Sequence, residues 1–165
     1  MSQPLTEFAG RALYLDTMIP YILLRGFDLA AQALFEQIQI GRFQAYTSVL
    51  TFDELAYRLL LASIREQYPG SPLEYLRDNE KKAIAEFYPP IAARLEQLQR
   101  FPNLSLIDLT ASDVVGMNEY ILQYQLRPRD ALHLAAMQKC ECFDLVSQDS
   151  DFDRVPIVHR YTLTI

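Results

Sequence analysis

Four acidic residues far apart in a chain of 165, Asp16, Glu54, Asp130 and Asp149, each fall where the residue pattern ends a strand or begins a helix. Brought together, such groups repel: two carboxylates about 4 Å apart at an effective dielectric near 20 cost roughly 4 kcal/mol. The set must then be protonated, splayed or neutralised by cations. Hard oxygen donors with no His or Cys pair at ligand spacing favour Mg²⁺ or Mn²⁺ over zinc. Such ions polarise a phosphoryl oxygen, lower the pKa of a bound water and, in pairs, stabilise both attacking and leaving oxygens. Phosphodiester hydrolysis is the chemistry best matched to this set.

The elements that must position these acids are readable around each one. In RALYLDTMIP the apolar run Ala12 to Leu15 predicts a strand that delivers Asp16 to its carboxyl edge. In YTSVLTFDELAYRLLLASI, Ser48 or Thr51 can cap a helix that carries Glu54 in its early turns. In LRPRDALHLAAM, Pro128 precedes a helix opened by Asp130, and in FDLVSQDSDF a second apolar run, Phe143 to Val146, ends just before Asp149. Open parallel sheets bind ligands in the crevice outside the carboxyl ends of their strands, so all four acids are expected to meet there.

Each acid also has a structural reading. Asp16 can form a strand-end turn, Thr51 and Glu54 have capping-box spacing, and Asp130 suits a helix N-terminus electrostatically. Asp149, Asp151 and Asp153 can form an acidic loop with a cap. His133, three residues after Asp130 in an apolar helix, reads as a packing or hydrogen-bonding residue rather than a base.

Strands are predicted at Ala12–Leu15, Gln44–Thr47, Leu104–Leu109, Phe143–Ser147 and Ile157–Thr162. Helices are predicted over Pro20–Gln39 with a break near Gly26, from Leu50 to about Gln67, over Ser112–Gln125 and over Asp130–Lys139. Leu73 to Arg100 reads as two helices divided at Pro89 and Pro90, its apolar residues serving core packing or a partner or dimer contact. This alternation points to an α/β fold with a mostly parallel sheet, in a single domain spanning residues 1–165.

Half the residues are hydrophobic, 22% are charged and no tract is of low complexity, which indicates an ordered globule. No apolar run reaches a membrane span and the N-terminus lacks a secretion signal, so a cytoplasmic protein is expected. Cys140 and Cys142 read as reduced packing residues. A net charge of −6 argues against non-specific grip on nucleic acid but leaves room for a nuclease, since cation-binding acids make up part of it. Arg58, Arg65, Arg77, Lys81 and Lys82 either line an RNA path or form a solvated helix face.

Four blocks carry a family resemblance. YLDT at Tyr14–Thr17, TSVLTFDEL at Thr47–Leu55, RDALHLAA at Arg129–Ala136 and LVSQDSDF at Leu145–Phe152 resemble, in order, those of the PIN domain. RDALHLAA is the most specific of them. The resemblance covers almost the whole chain, with about residues 66–103 as a less typical helical insertion, and the size is similar to that of VapC-type toxins. It implies a three-layer α/β/α domain with a central five-stranded parallel sheet and a Mg²⁺- or Mn²⁺-dependent ribonuclease site that leaves a 5′-phosphate and a 3′-hydroxyl. Asp16, Glu54, Asp130 and Asp149 match the four family acids, with Asp151, Thr17 and Arg129 as helpers. The implied partners are RNA, a cognate antitoxin and a second copy of the chain. Met18 stands where the family commonly has Asn, which leaves a catalytically weak or inactive PIN-like scaffold as the alternative. A haloacid dehalogenase-type phosphatase, which needs a second Asp at position 18, fits less well.

Overall fold

The computed structural model describes residues 2–26 and 28–163. Six strands form one parallel sheet: β1 (Gln3–Pro4), β2 (Ala12–Leu15), β3 (Gln44–Ser48), β4 (Leu104–Ile107), β5 (Asp144–Val146) and β6 (His159–Thr162), in the order β1-β6-β5-β2-β3-β4. Seven α-helices connect them: α1 (Met18–Arg25), α2 (Leu29–Gln39), α3 (Val49–Gln67), α4 (Pro72–Asp78), α5 (Glu80–Gln99), α6 (Ala111–Tyr124) and α7 (Pro128–Cys140). The chain leaves β2 toward β3 and β4 on one side and returns to β5 on the other. The crevice at the carboxyl end of β2 is therefore a topological switch point.

The three layers follow from period-two alternation along buried strands. On β2, Leu13 and Leu15 enter one core with Ile19, Leu34, Leu55 and Ile91, while Tyr14 enters the other with Leu134, Met137 and Leu145. Because both sheet faces are covered, β2 reads as a short continuous apolar run. Gly26 ends α1 with a left-handed backbone (φ 78°), its N–H bonding the carbonyls of Ile22 and Leu23, which accounts for the predicted break. Cys140 and Cys142 are free thiols, as expected, and burial pushes the Cys142 thiol up to about 12. Among the described residues no single helix is long and apolar enough to cross a membrane.

Two expectations are corrected. The sheet has six strands rather than five, because two residues, Gln3 and Pro4, pair with Tyr161 and Thr162 at the edge. So short a strand has no alternation to read, and an edge tolerates proline. Secondly, α5 runs unbroken through Pro89 and Pro90, and the division from α4 lies at Asn79. Each internal proline costs on the order of 3 kcal/mol. Opposing this, Ala83, Phe87, Ile91, Leu95 and Leu98 stay buried on one face spanning both prolines. Burying a large apolar side chain contributes about 1.5–3 kcal/mol, so the continuous stripe offsets the missing hydrogen bonds. The segment is thus chiefly core, although Leu73 and Ile84 remain exposed.

Ile91→Ala is expected to lower unfolding free energy by about 2–5 kcal/mol, and Ile84→Ala to change it by less than about 1 kcal/mol. Urea denaturation checks both; equal effects would contradict one-sided packing of α5.

Candidate functional site

Asp16 follows directly on β2, and its backbone N–H bonds the Val146 carbonyl at the end of β5 (3.1 Å). Ser147, fully buried at the same strand end, donates its hydroxyl to Asp16 Oδ2 at 2.6 Å and accepts the Asp149 N–H at 3.0 Å. One hydroxyl therefore ties the first acid to the loop bearing the fourth. On the other side of β2, the Thr47 hydroxyl donates to the Leu15 carbonyl at 2.9 Å and lies 2.7 Å from Thr51 Oγ1, which docks the start of α3 on the β2 end.

Glu54, in the second turn of α3, is buried with both oxygens engaged. Oε2 accepts the Thr17 hydroxyl, and Oε1 accepts Arg129 Nη1 at 2.9 Å. The Thr51–Glu54 capping box is not formed: Ser48 is the N-cap, and Thr51 lies inside the helix. Burial pushes the Glu54 carboxyl up, but hydrogen bonding to His133 and Thr17 and the nearby charges outweigh it and bring it to about 2. The group is ionised at any ordinary pH.

His133 is buried at 2% exposure, as read from the sequence. Burial holds the Tyr14 phenol far above its ordinary range, so it stays neutral and available to donate. Its oxygen lies 2.9 Å from Nδ1, while Nε2 lies 3.4 Å from Thr17 Oγ1 and 3.7 Å from Glu54 Oε2. Since the single Thr17 proton goes to Glu54, Thr17 Oγ1 can only accept from His133, which places an N–H at Nε2, facing Thr17 and Glu54. His133 then supports Glu54 rather than offering a free base.

Asp130 occupies the first turn of α7, as its helix-start reading requires. Its environment is the opposite of Glu54's. Oδ2 is sealed from solvent with no hydrogen-bond partner, and burial, then the charges of Asp149 and Asp16, raise the carboxyl to about 6. Asp149 also fulfils its bland role, capping the short 3₁₀ turn Ser150–Arg154 by accepting the Asp151 N–H at 2.9 Å. Oxygens of Asp130, Asp149 and Asp151 lie within 4.8 Å of one another.

Asp16, Glu54, Asp130 and Asp149 all line one cleft of about 430 Å³, together with Thr17 and Met18. Asp151 stands beside it, paired to Arg154 at 2.7 Å. Arg58, Arg127 and Arg129 complete its wall, and Arg58 Nη1 donates to Met18 Sδ at 3.3 Å. Of the five basic residues considered for an RNA path, Arg58 alone lines the cleft; Arg77 pairs with Asp78 and Lys82 sits over the Tyr68 ring. An all-oxygen donor set with one orphaned, shielded carboxylate oxygen suits a hard divalent cation.

The family profile of the PIN domain matches residues 13–158. The chain belongs to the PIN domain family. No curated protein sequence matches it significantly. Among solved structures, this PIN domain is similar to a toxin–antitoxin complex from Klebsiella pneumoniae, at 17% identity over 88% of this chain and 94% of that one (TM-score 0.56). It is similar to VapBC2 from Rickettsia felis bound to a promoter DNA fragment, at 13% identity over 93% and 99% (TM-score 0.59). It is also similar to Mycobacterium tuberculosis VapC20, described as a toxin that cleaves the sarcin–ricin loop, at 17% identity over 88% and 96% (TM-score 0.56). Likeness at these identities speaks for the fold.

Sequence reasoning missed Ser147, which anchors Asp16, and the Tyr14–His133 pair behind Glu54. A serine at the end of an apolar run one residue from an Asp-rich turn was the available signal. The 119-residue separation of Tyr14 and His133 left none.

The two shifted acids give opposite pH signatures. Asp130, raised from 3.8 to about 6, contributes stability that is full below about pH 4 and lost as pH rises through 6. Glu54, lowered from 4.5 to about 2, contributes stability above pH 4.5 that is lost as pH falls toward 2. Asp130→Asn is therefore expected to stabilise the metal-free protein at pH 8, by on the order of 1–3 kcal/mol, and to lose that advantage near pH 3.5. Thermal unfolding at the two pH values checks this; a variant less stable than wild type at pH 8 would contradict it.

Proposed function

We propose that this PIN domain is an endoribonuclease that hydrolyses RNA phosphodiester bonds with Mg²⁺ or Mn²⁺, and that it is the toxin of a toxin–antitoxin pair. The observation that carries the reading is the orphaned, buried oxygen of Asp130, set among Asp16 and Asp149 with its carboxyl pushed up by burial and then by their charges. A protein gains nothing from that arrangement unless a positive ligand completes it. Asp16, Asp130, Asp149 and Glu54, which line the same cleft, are the residues assigned to hold the cation, and Asp151 is a helper. When bound, the cation lowers the pKa of a water and polarises a phosphoryl oxygen.

The remaining roles fall to the chain's own side chains. Ser147 orients Asp16, and Thr17 with His133 orients Glu54, so the carboxylates are held in place before any substrate arrives. Arg58, Arg127 and Arg129 surround the acids with guanidinium groups, whose planar fork matches phosphate oxygens. These arginines offset part of the acids' charge at the cleft, whatever the net charge of −6. The antitoxin partner is supported by similarity to a toxin–antitoxin complex and to VapBC2.

Met18 favours a second reading, that of a weak or inactive scaffold. Its thioether, a poor acceptor, is engaged by Arg58 and gives the acids no hydrogen bond.

Purified protein is expected to cleave single-stranded RNA with Mn²⁺ or Mg²⁺, to stop with EDTA and to spare a phosphomonoester. Asp16→Asn and Asp130→Asn, with circular dichroism unchanged, are expected to lower the rate about 100-fold or more. Unchanged cleavage in these variants would sink the assignment, and no cleavage together with no Mn²⁺ binding would favour the scaffold.

A further inference from the structure

We propose that Arg129 is a resident counter-ion that a divalent cation displaces from Glu54, and that the released guanidinium then meets substrate phosphate at the cleft. This rests on the reading of the cleft as a cation-dependent ribonuclease site and adds an exchange of partners to it. Both Glu54 oxygens are engaged: Oε1 accepts Arg129 at 2.9 Å and Oε2 accepts the Thr17 hydroxyl. Asp130, Asp149 and Asp151 bring oxygens within 4.8 Å of one another, a group that includes neither Glu54 nor Asp16. The acids thus divide into Asp130, whose Oδ2 has no partner, with Asp149 and Asp151 beside it held by the exposed Arg127 only at 4.0 and 3.9 Å and Asp151 by Arg154 at 2.7 Å, and a Glu54 whose Oε1 a guanidinium holds closely.

The division has a physical cause. The Glu54 side chain is 8% exposed, and a carboxylate so buried needs a positive partner to remain ionised. Thr17 lends only a hydroxyl, and the His133 imidazole faces it from 3.7 Å, leaving Arg129 as the side chain that is always charged. Arg129, by contrast, can leave at little cost. Its side chain is 56% exposed, and its second terminal nitrogen lies 3.9 Å from the exposed Asp53.

A divalent cation entering the cleft carries twice the charge of the guanidinium and competes for the same Glu54 oxygen. Arg129 cannot answer by losing its proton, so once displaced it must find another anion or water. It lines the same cleft as the acids, where the phosphodiester must approach, and a phosphate offers its fork the bidentate geometry that carboxylate offered. Cation loading thereby changes Arg129 from a group that balances the acids to one that positions substrate. Metal and RNA become mutually supportive ligands, linked through one side chain.

Calorimetric titration with Mn²⁺ alone tests the competition. Arg129→Gln is expected to bind Mn²⁺ roughly tenfold more tightly than wild type, because a charge-assisted hydrogen bond to Glu54 no longer opposes the ion. In a Glu54→Gln background the same substitution is expected to have no effect, since nothing is left to compete for. Arg129→Lys, which keeps the charge but loses the fork, is expected to fall between and serves if the glutamine variant folds poorly. The second arm uses a single-stranded RNA oligonucleotide in EDTA. Glu54→Gln frees Arg129 and is expected to bind this RNA more tightly than wild type, with most of the gain gone in the Glu54→Gln/Arg129→Gln double variant. Mn²⁺ binding that Arg129→Gln leaves unchanged or weakens overturns the exchange alone, as does an RNA gain independent of Arg129. Absence of Mn²⁺ binding by wild type overturns the cation site and the exchange together.

Discussion

Mutual repulsion among carboxylates gathered at one sheet edge is the constraint that organises this molecule. Burial strengthens the repulsion and also weakens water's ability to screen it, so every acid in the cleft requires an answer from the chain. Glu54 receives a full one from Thr17, His133 and Arg129, and its carboxyl falls to about 2. Asp16 is held by Ser147, and Asp149 by the backbone it caps. Asp130 receives none for its buried Oδ2, and its carboxyl rises to about 6. The strain is thus concentrated on one residue, and local violation of an otherwise satisfied polar network is where function is expected.

The fold exists in the form that makes this convergence unavoidable. Strand order reverses at β2, so the loops leaving β2 and β5 lie side by side at the carboxyl edge. Helices α3 and α7 carry Glu54 and Asp130 to the same point from the two covering layers. Hydroxyl clamps fix the corners: Thr47 bonds the Leu15 carbonyl, and Ser147 bonds across from β5 to Asp16. Apolar packing on both sheet faces keeps these strand ends rigid, which a cation site needs more than a flexible loop could supply.

Much of this was legible in the sequence, and the reasons are specific. The run Ala12 to Leu15 stopping at Asp16 revealed a buried strand and its terminal acid together, and Pro128 marked the helix that presents Asp130. Long-range partners were not legible, because Tyr14 and His133 stand 119 residues apart and no local pattern links them. The capping-box reading of Thr51 and Glu54 failed since the N-cap is Ser48, and Thr51, already inside the helix, meets the Thr47 hydroxyl instead. Pro89 and Pro90 misled for a related reason: a buried stripe on both sides of them overrode their local cost. Asp149 caps a turn with one oxygen while lining the cleft, so its structural reading and its proposed place in the site do not exclude each other.

Anomalous scattering from crystals equilibrated with Mn²⁺ tests the central claim most directly, because it locates the ion without relying on turnover. The account predicts an anomalous peak in the cleft in contact with Asp130 and Asp149. No peak there at saturating Mn²⁺, or a peak confined to surface carboxylates elsewhere, would contradict it.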